Sequence, residues 1–160
     1  MLRLNIDDLL AYTERRVSLR ADAADILGDA IETMWRHVAK VPAAPVEARM
    51  WMYTVVRNTM LNARRSSKRR TAAFDRLRVE LERVPPPLST DERLDLHRAM
   101  NTLPPDLVEL VRLVHWDGFS ITEAAALVDI PPSTARTRFA KARHLLKQEL
   151  SAHASTNPHH

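Results

Sequence analysis

The chain has 160 residues, 45% of them hydrophobic, which suffices for packed cores in one domain or two small ones and excludes a disordered chain. Its formal net charge of +4, from 24 Lys and Arg against 20 Asp and Glu, permits a nucleic-acid partner without proving one. It has no Cys, which excludes a disulfide framework and a thiolate metal site. The charge is segregated: residues 1–39 hold five basic against seven acidic side chains, residues 46–70 seven against one, and residues 131–150 five against one. One acidic and two basic contact faces would produce that pattern. No apolar run approaches the roughly 18 residues of a membrane span, and Asp7, Asp8 and Glu14 interrupt the N-terminus too early for a signal peptide. A cytoplasmic protein with no membrane contact is expected.

Only two glycines and no sustained alternating pattern point to an all-α protein: two small helical domains joined by a linker, the second a helix-turn-helix. In chain order, Asp22 is the expected N-cap of a helix whose stripe of Ile26, Leu27, Ala30, Ile31, Met34, Trp35 and Val38 repeats with helical period. Pro42 and Pro45 break it. A longer helix begins with Pro45 in the first turn and Glu47 close behind, and runs to about Lys68. Phe74, Leu77, Val79 and Leu81 could extend a helix, but Val84-Pro85-Pro86-Pro87 must end it, making this stretch an interdomain linker.

Ser89-Thr90-Asp91-Glu92 reads as a capping box opening a helix through about Asn101. Pro104-Pro105 restarts the chain into a helix carrying Leu107, Val108, Leu110, Val111, Val114 and His115, with Gly118 as its stop. Ser120-Ile121-Thr122-Glu123 is a second capping box. Ile130-Pro131-Pro132 separates that short helix from a last one reaching about Leu150, and the tail beyond is expected to fray.

Two stretches carry chemistry. The first runs from Arg49 through Trp51, Tyr53, Arg57 and Asn58 to Arg64, Arg65, Lys68, Arg69 and Arg70. Trp51 and Tyr53 can be ordinary core aromatics, and for Trp51 that is the better reading. Asn58, one turn before the basic run, offers an amide that can hydrogen-bond a base whose pairing edge is exposed, and the cations after it would hold phosphates. The second is the helix-turn-helix. Ala124, Ala125 and Leu127 pack its first helix, and Pro132 opens the second, which presents Ser133, Thr134, Arg136, Thr137, Arg138, Lys141 and Arg143 to DNA. An enzyme is disfavoured. The seven His show no metal-ligand spacing on a common face, and two glycines cannot make a phosphate loop, so no catalytic residue, metal or cofactor is expected. A stand-alone helix-turn-helix regulator would explain residues 104–150 and leave the first 70 without a role.

These residues resemble the compact, extracytoplasmic-function (ECF) group of bacterial sigma factors, in the sigma-70 family. Asp22-Ala23-Ala24-Asp25-Ile26-Leu27 is similar to the family's Asp-Ala-Glu-Asp-Leu-Val, and Met34-Trp35 to its Ala-Trp. Trp51-Met52-Tyr53-Thr54-Val55-Val56-Arg57-Asn58 resembles Trp-Leu-Tyr-x-Ile-Ala-Arg-Asn. Leu103-Pro104-Pro105, Gly118-Phe119-Ser120 and the run from Thr134 to Arg143 resemble the family's C-terminal reading motif. The likeness covers about residues 22–150.

The resemblance implies region 2 at 1–70, a linker at 71–98, region 4 at 99–151 and a flexible tail at 152–160. It implies core RNA polymerase as partner, through the beta-prime clamp and the beta flap, with Asp22, Asp25, Ile26 and Asp29 on the clamp. Arg57, Asn58, Asn62, Arg64, Arg65, Lys68 and Arg69 would read the melted minus-ten element, and the C-terminal helix the minus-thirty-five duplex. An anti-sigma protein would hold the factor inactive. The chain departs from the family at Ala24, Gly28-Asp29, Asn62 and Asp129, and the segment ahead of Asp22 is short.

Overall fold

The computed structural model describes residues 2–74 and 91–156, with side chains over 2–66 and 96–152. The proline run at 85–87 and the capping box at Ser89 lie outside them. Among the described residues every regular element is helical, as expected, and the chain divides into two units, residues 1–84 and 85–160.

In the first unit, α1 (Leu2–Glu14), α2 (Arg20–Arg36), a 3₁₀ turn (Val38–Lys40) and α3 (Pro45–Phe74) enclose one core. Leu9 and Tyr12 of α1 meet Ala23, Ile26, Leu27, Ala30 and Met34 of α2 and Ala48, Met52, Tyr53, Val56 and Met60 of α3. The three- and four-residue spacings are those of one buried helical face. Tyr12 and Tyr53 meet edge to face with centroids 5.0 Å apart. Arginines cover both rings, Arg16 at 3.7 Å from Tyr12 and Arg49 at 4.9 Å from Tyr53.

Three local readings need correction. The α2 helix starts at Arg20, behind an extended Leu19 that has no side-chain cap, so Asp22 lies in the first turn rather than at the N-cap. The corner is closed upstream, where Arg20 Nε donates to Glu14 Oε1 at 2.6 Å. The helix also ends at Arg36, well before Pro42, because the His37 N–H is shared between the Thr33 and Met34 carbonyls and the chain tightens into the 3₁₀ turn. The buried stripe stops at Met34: Trp35, still inside α2, is 66% exposed, and Val38, in the 3₁₀ turn, 58%. Finally, α3 continues past Lys68 to Phe74.

In the second unit, α4 (Asp91–Thr102) packs on α7 (Pro132–Thr156), and α5 (Pro105–His115) packs on α7 and on α6 (Ile121–Leu127). Leu107, Leu110, Val111 and Leu113 of α5 join Ala124, Ala125 and Leu127 of α6 and Ala135, Phe139 and Ala142 of α7 in the core. The alanines at 0% exposure on both α6 and α7 let the two helices cross closely, as their small side chains require. The α7 helix persists to Thr156, so the expected frayed tail is helical over its first residues.

The turns follow their local chemistry. Gly118 has φ +70°, a left-handed conformation it adopts without a Cβ clash. At Ser120 the capping box forms: Ser120 Oγ accepts from the Glu123 N–H, and Glu123 Oε2 accepts from the Ser120 N–H at 2.7 Å. Such a cap contributes about 0.5–2 kcal/mol. The α6 helix ends with Asp129 at φ 57°, its N–H on the Ala126 carbonyl and the Ile130 N–H on the Ala125 carbonyl. That pair of bonds is the Schellman termination, with Asp in the place glycine usually takes.

Candidate nucleic-acid interfaces

On α3, helical period places Thr54, Asn58, Asn62 and Arg65 along one exposed stripe, spaced four, four and three residues apart. Asn58 thus presents its amide outward, with cations after it. Arg57, one residue aside, is half-buried. Arg64 is engaged elsewhere: its Nη2 donates to the Arg16 carbonyl at 2.6 Å, 48 residues away in sequence. Arg16 in turn donates from Nη1 to the Tyr12 carbonyl at 2.9 Å. The two guanidinium groups satisfy main-chain acceptors around the end of α1, where carbonyls lack helical partners. Lys68 and Arg69 lie outside the described side chains.

The acidic face of α2 is real in part. Asp22, Asp25 and Asp29 are exposed, continued by Glu32, whose Oε1 pairs with Arg36 at 2.7 Å. Ile26 does not join them. It is 8% exposed, because the period that turns those acids outward turns Ile26 inward with Ala23, Leu27 and Ala30. Its side chain packs in the core. Gly28 stands exposed on this helix, and a Cβ built there would meet nothing within 4 Å.

On α7, Ser133, Arg136, Thr137, Lys141 and Arg143 are exposed, while Ala135, Phe139 and Ala142 are buried. Thr134 and Arg138, four residues apart, occupy the half-buried shoulder between those faces. Arg138 Nη1 lies 3.3 Å from Asp106 Oδ2 on α5, an ion pair that sequence reading did not anticipate. Among the described residues no ion pair is recorded for Arg136, Lys141 or Arg143. An exposed polar stripe on the second helix of a helix-turn-helix is the geometry that enters a major groove. No helix among the described residues is long and apolar enough to cross a membrane.

Comparison with known proteins accords with these two surfaces. Residues 1–70 match the family model for sigma-70 region 2, and residues 93–146 match that for sigma-70 region 4, together well over half the chain. The region 2 match accounts for the residues that a helix-turn-helix alone would leave unexplained. The chain is 26% identical to the ECF RNA polymerase sigma factor SigE of Mycolicibacterium smegmatis, over 97% of this chain and 62% of that protein. It is 29% identical to the ECF RNA polymerase sigma-E factor of Escherichia coli K12, over 62% of this chain and 59% of that protein. The alignments thus span about three fifths of these curated relatives' own length.

Among solved structures, the co-crystal structure of the sigma factor RpoE with the anti-sigma factor NepR from Bartonella quintana superposes with a TM-score of 0.75, at 26% identity and 94% coverage of both chains. The PhyRSL–NepR complex from Sphingomonas sp. Fr1 gives 0.70 at 15% identity, covering 93% of this chain and 86% of that one, a likeness of fold alone. With both regions matched in order and both surfaces exposed, the chain belongs to the sigma-70 family, in its ECF group.

Proposed function

We propose that the chain joins core RNA polymerase, directs it to particular promoters and helps to open them, with no catalytic step of its own. The observation that carries this reading is the pair of exposed polar stripes, one on α3 and one on α7, in units that match sigma regions 2 and 4. Labour is divided between them. The α7 stripe reads intact duplex through the major groove, at the minus-thirty-five element. The α3 stripe holds a base that has left the stack, at the minus-ten element: Asn58 addresses its pairing edge, while Asn62, Arg65 and the cations beyond steady the strand. Capturing an extruded base offsets an unstacking and unpairing cost of a few kcal/mol.

In this reading the two units are the two working domains, and the linker expected at 71–98 shortens to residues 75–90, because 71–74 belong to α3 and 91–98 to α4, which packs on α7; that shorter segment threads through the polymerase. Asp22, Asp25 and Asp29 face basic residues of the beta-prime clamp, and the second unit docks near the beta flap. An anti-sigma protein fits as the restraining partner, since the related RpoE is held by one.

Reconstitution with core polymerase tests the proposal. Asn58 is exposed, so Asn58→Ala leaves the fold within about 0.5 kcal/mol of the parent. Loss of an amide–base contact weakens promoter opening by about tenfold to a hundredfold. Unchanged opening and sequence preference in this variant would refute the role given to Asn58. A parent chain that neither co-purifies with core polymerase nor starts transcription would refute the function itself.

A further inference from the structure

We propose that Asp106 is an internal counter-anion for the recognition helix: its carboxylate holds Arg138 in the unbound protein and gives it up to a backbone phosphate when duplex DNA arrives. This rests on the reading of α7 as the duplex-binding helix.

Arg138 is unlike its neighbours on α7. Arg136, Thr137 and Lys141 project from the exposed face, whereas Arg138 sits on the shoulder beside buried Phe139 and Ala142 and is turned toward α5. A shoulder position suits the sugar–phosphate wall of a groove better than the base edges at its floor, because phosphates flank a helix lying in the groove. The pair is also built to exchange. Its 3.3 Å separation exceeds the roughly 2.7–2.9 Å of a strong charge-assisted bond. The side chains are 40% and 51% exposed, so an incoming phosphate oxygen can reach the guanidinium without disturbing the core. A guanidinium has five N–H donors and can begin to bind the second anion before it leaves the first. When Arg138 departs, Asp106 remains in the first turn of α5, where a negative charge is favoured by the helix dipole.

Asp106 is therefore a positioning residue that restrains binding. Duplex that places no phosphate at the shoulder leaves the pair intact, and duplex that does must first displace the carboxylate. The restraint has the size of a solvent-exposed ion pair, about two- to fivefold in affinity.

A double-mutant cycle in the full chain bound to core polymerase tests this, read as affinity for a duplex promoter fragment recovered by run-off transcription. Asp106→Asn should tighten binding by about two- to fivefold, and the gain should vanish in an Arg138→Gln background. An equal gain in both backgrounds would show that the carboxylate acts only through its general field, and the exchange would be wrong. Weaker binding by Asp106→Asn would mean that the pair braces the helix for DNA instead, also overturning the proposal. Thermal melts of all four proteins identify any variant whose fold has changed; Asp106→Ser with Arg138→Met, which also removes the charge, then repeats the cycle. If the parent binds no duplex, the reading of α7 fails with it; if the parent binds and Asp106→Asn matches it, this inference alone fails.

Discussion

The helices α3 and α7 both carry runs of cations, and the two runs are employed differently. Along α3 two arginines serve the protein itself: Arg49 covers Tyr53, and Arg64 is bound to the Arg16 carbonyl. What this helix shows to its surroundings over the described side chains is led by amides, Asn58 and Asn62, with Arg65 beyond them. Along α7 the cations are mostly outward, and Arg138 is tied to a neighbouring helix by a loose pair. The difference suits the two tasks proposed above. A separated strand offers unpaired base edges, which amides can address, whereas a duplex offers a dense row of phosphates and a groove floor that Arg reads well. A basic stretch in a sequence is thus a mixture of structural and contact residues, and only packing separates them.

Substitutions can sharpen or break that contrast. The largest effect is expected from Arg136→Ala combined with Lys141→Ala on α7. Both are exposed, so the fold should stay within about 1 kcal/mol while affinity for the upstream element falls by about 2–6 kcal/mol, read by footprinting of the reconstituted complex. An intact upstream footprint would remove α7 from the interface. Next comes Arg64→Gln on α3, expected to cost about 1–2 kcal/mol of folding stability by thermal or urea melts. That lies at or below the usual range for a hydrogen bond from a charged donor, because Arg64 is exposed. A stable Arg64→Gln protein with a specific defect in promoter opening would put Arg64 back among the DNA contacts. The smallest effect is a gain. Gly28→Ala on α2 should raise stability by about 0.5–1 kcal/mol, since the added methyl meets open space and helix propensity improves. If that variant is more stable and binds core polymerase less well, the glycine is there for a partner's close approach and not for the fold.

Much of the second unit was legible in advance because its signals are local. The Ser120–Glu123 capping box, Gly118 past the end of α5 and Pro132 opening α7 each depend on a few adjacent residues, and each appears where its chemistry places it. The first unit was less legible because its decisive contacts are distant. The Arg64 bond to the Arg16 carbonyl spans 48 residues, and no motif around either residue announces it. The helix α2 starts at Arg20, whose side chain pairs with Glu14 of the preceding helix, and not at an Asp22 cap. Trp35 and Val38 continued an apolar pattern, yet both are exposed, Trp35 within α2 and Val38 in the 3₁₀ turn. Ile26 carried two readings at once, core residue and contact residue, and burial decides for the core. The Asp106–Arg138 pair joins two helices whose sequences each look complete alone.

The hairpin between the last two helices is held by the Ala125 and Ala126 carbonyls, which accept from Ile130 and Asp129. Its bend is therefore written in main-chain atoms, with an aspartate accepting a conformation that glycine would ordinarily supply. Outward-facing positions such as Ser133, Arg136 and Thr137 contribute no side chain to that bend. On the proposed reading, mutation can rewrite which nucleotides such a helix prefers while the scaffold beneath keeps its shape, so new target sites can evolve one substitution at a time.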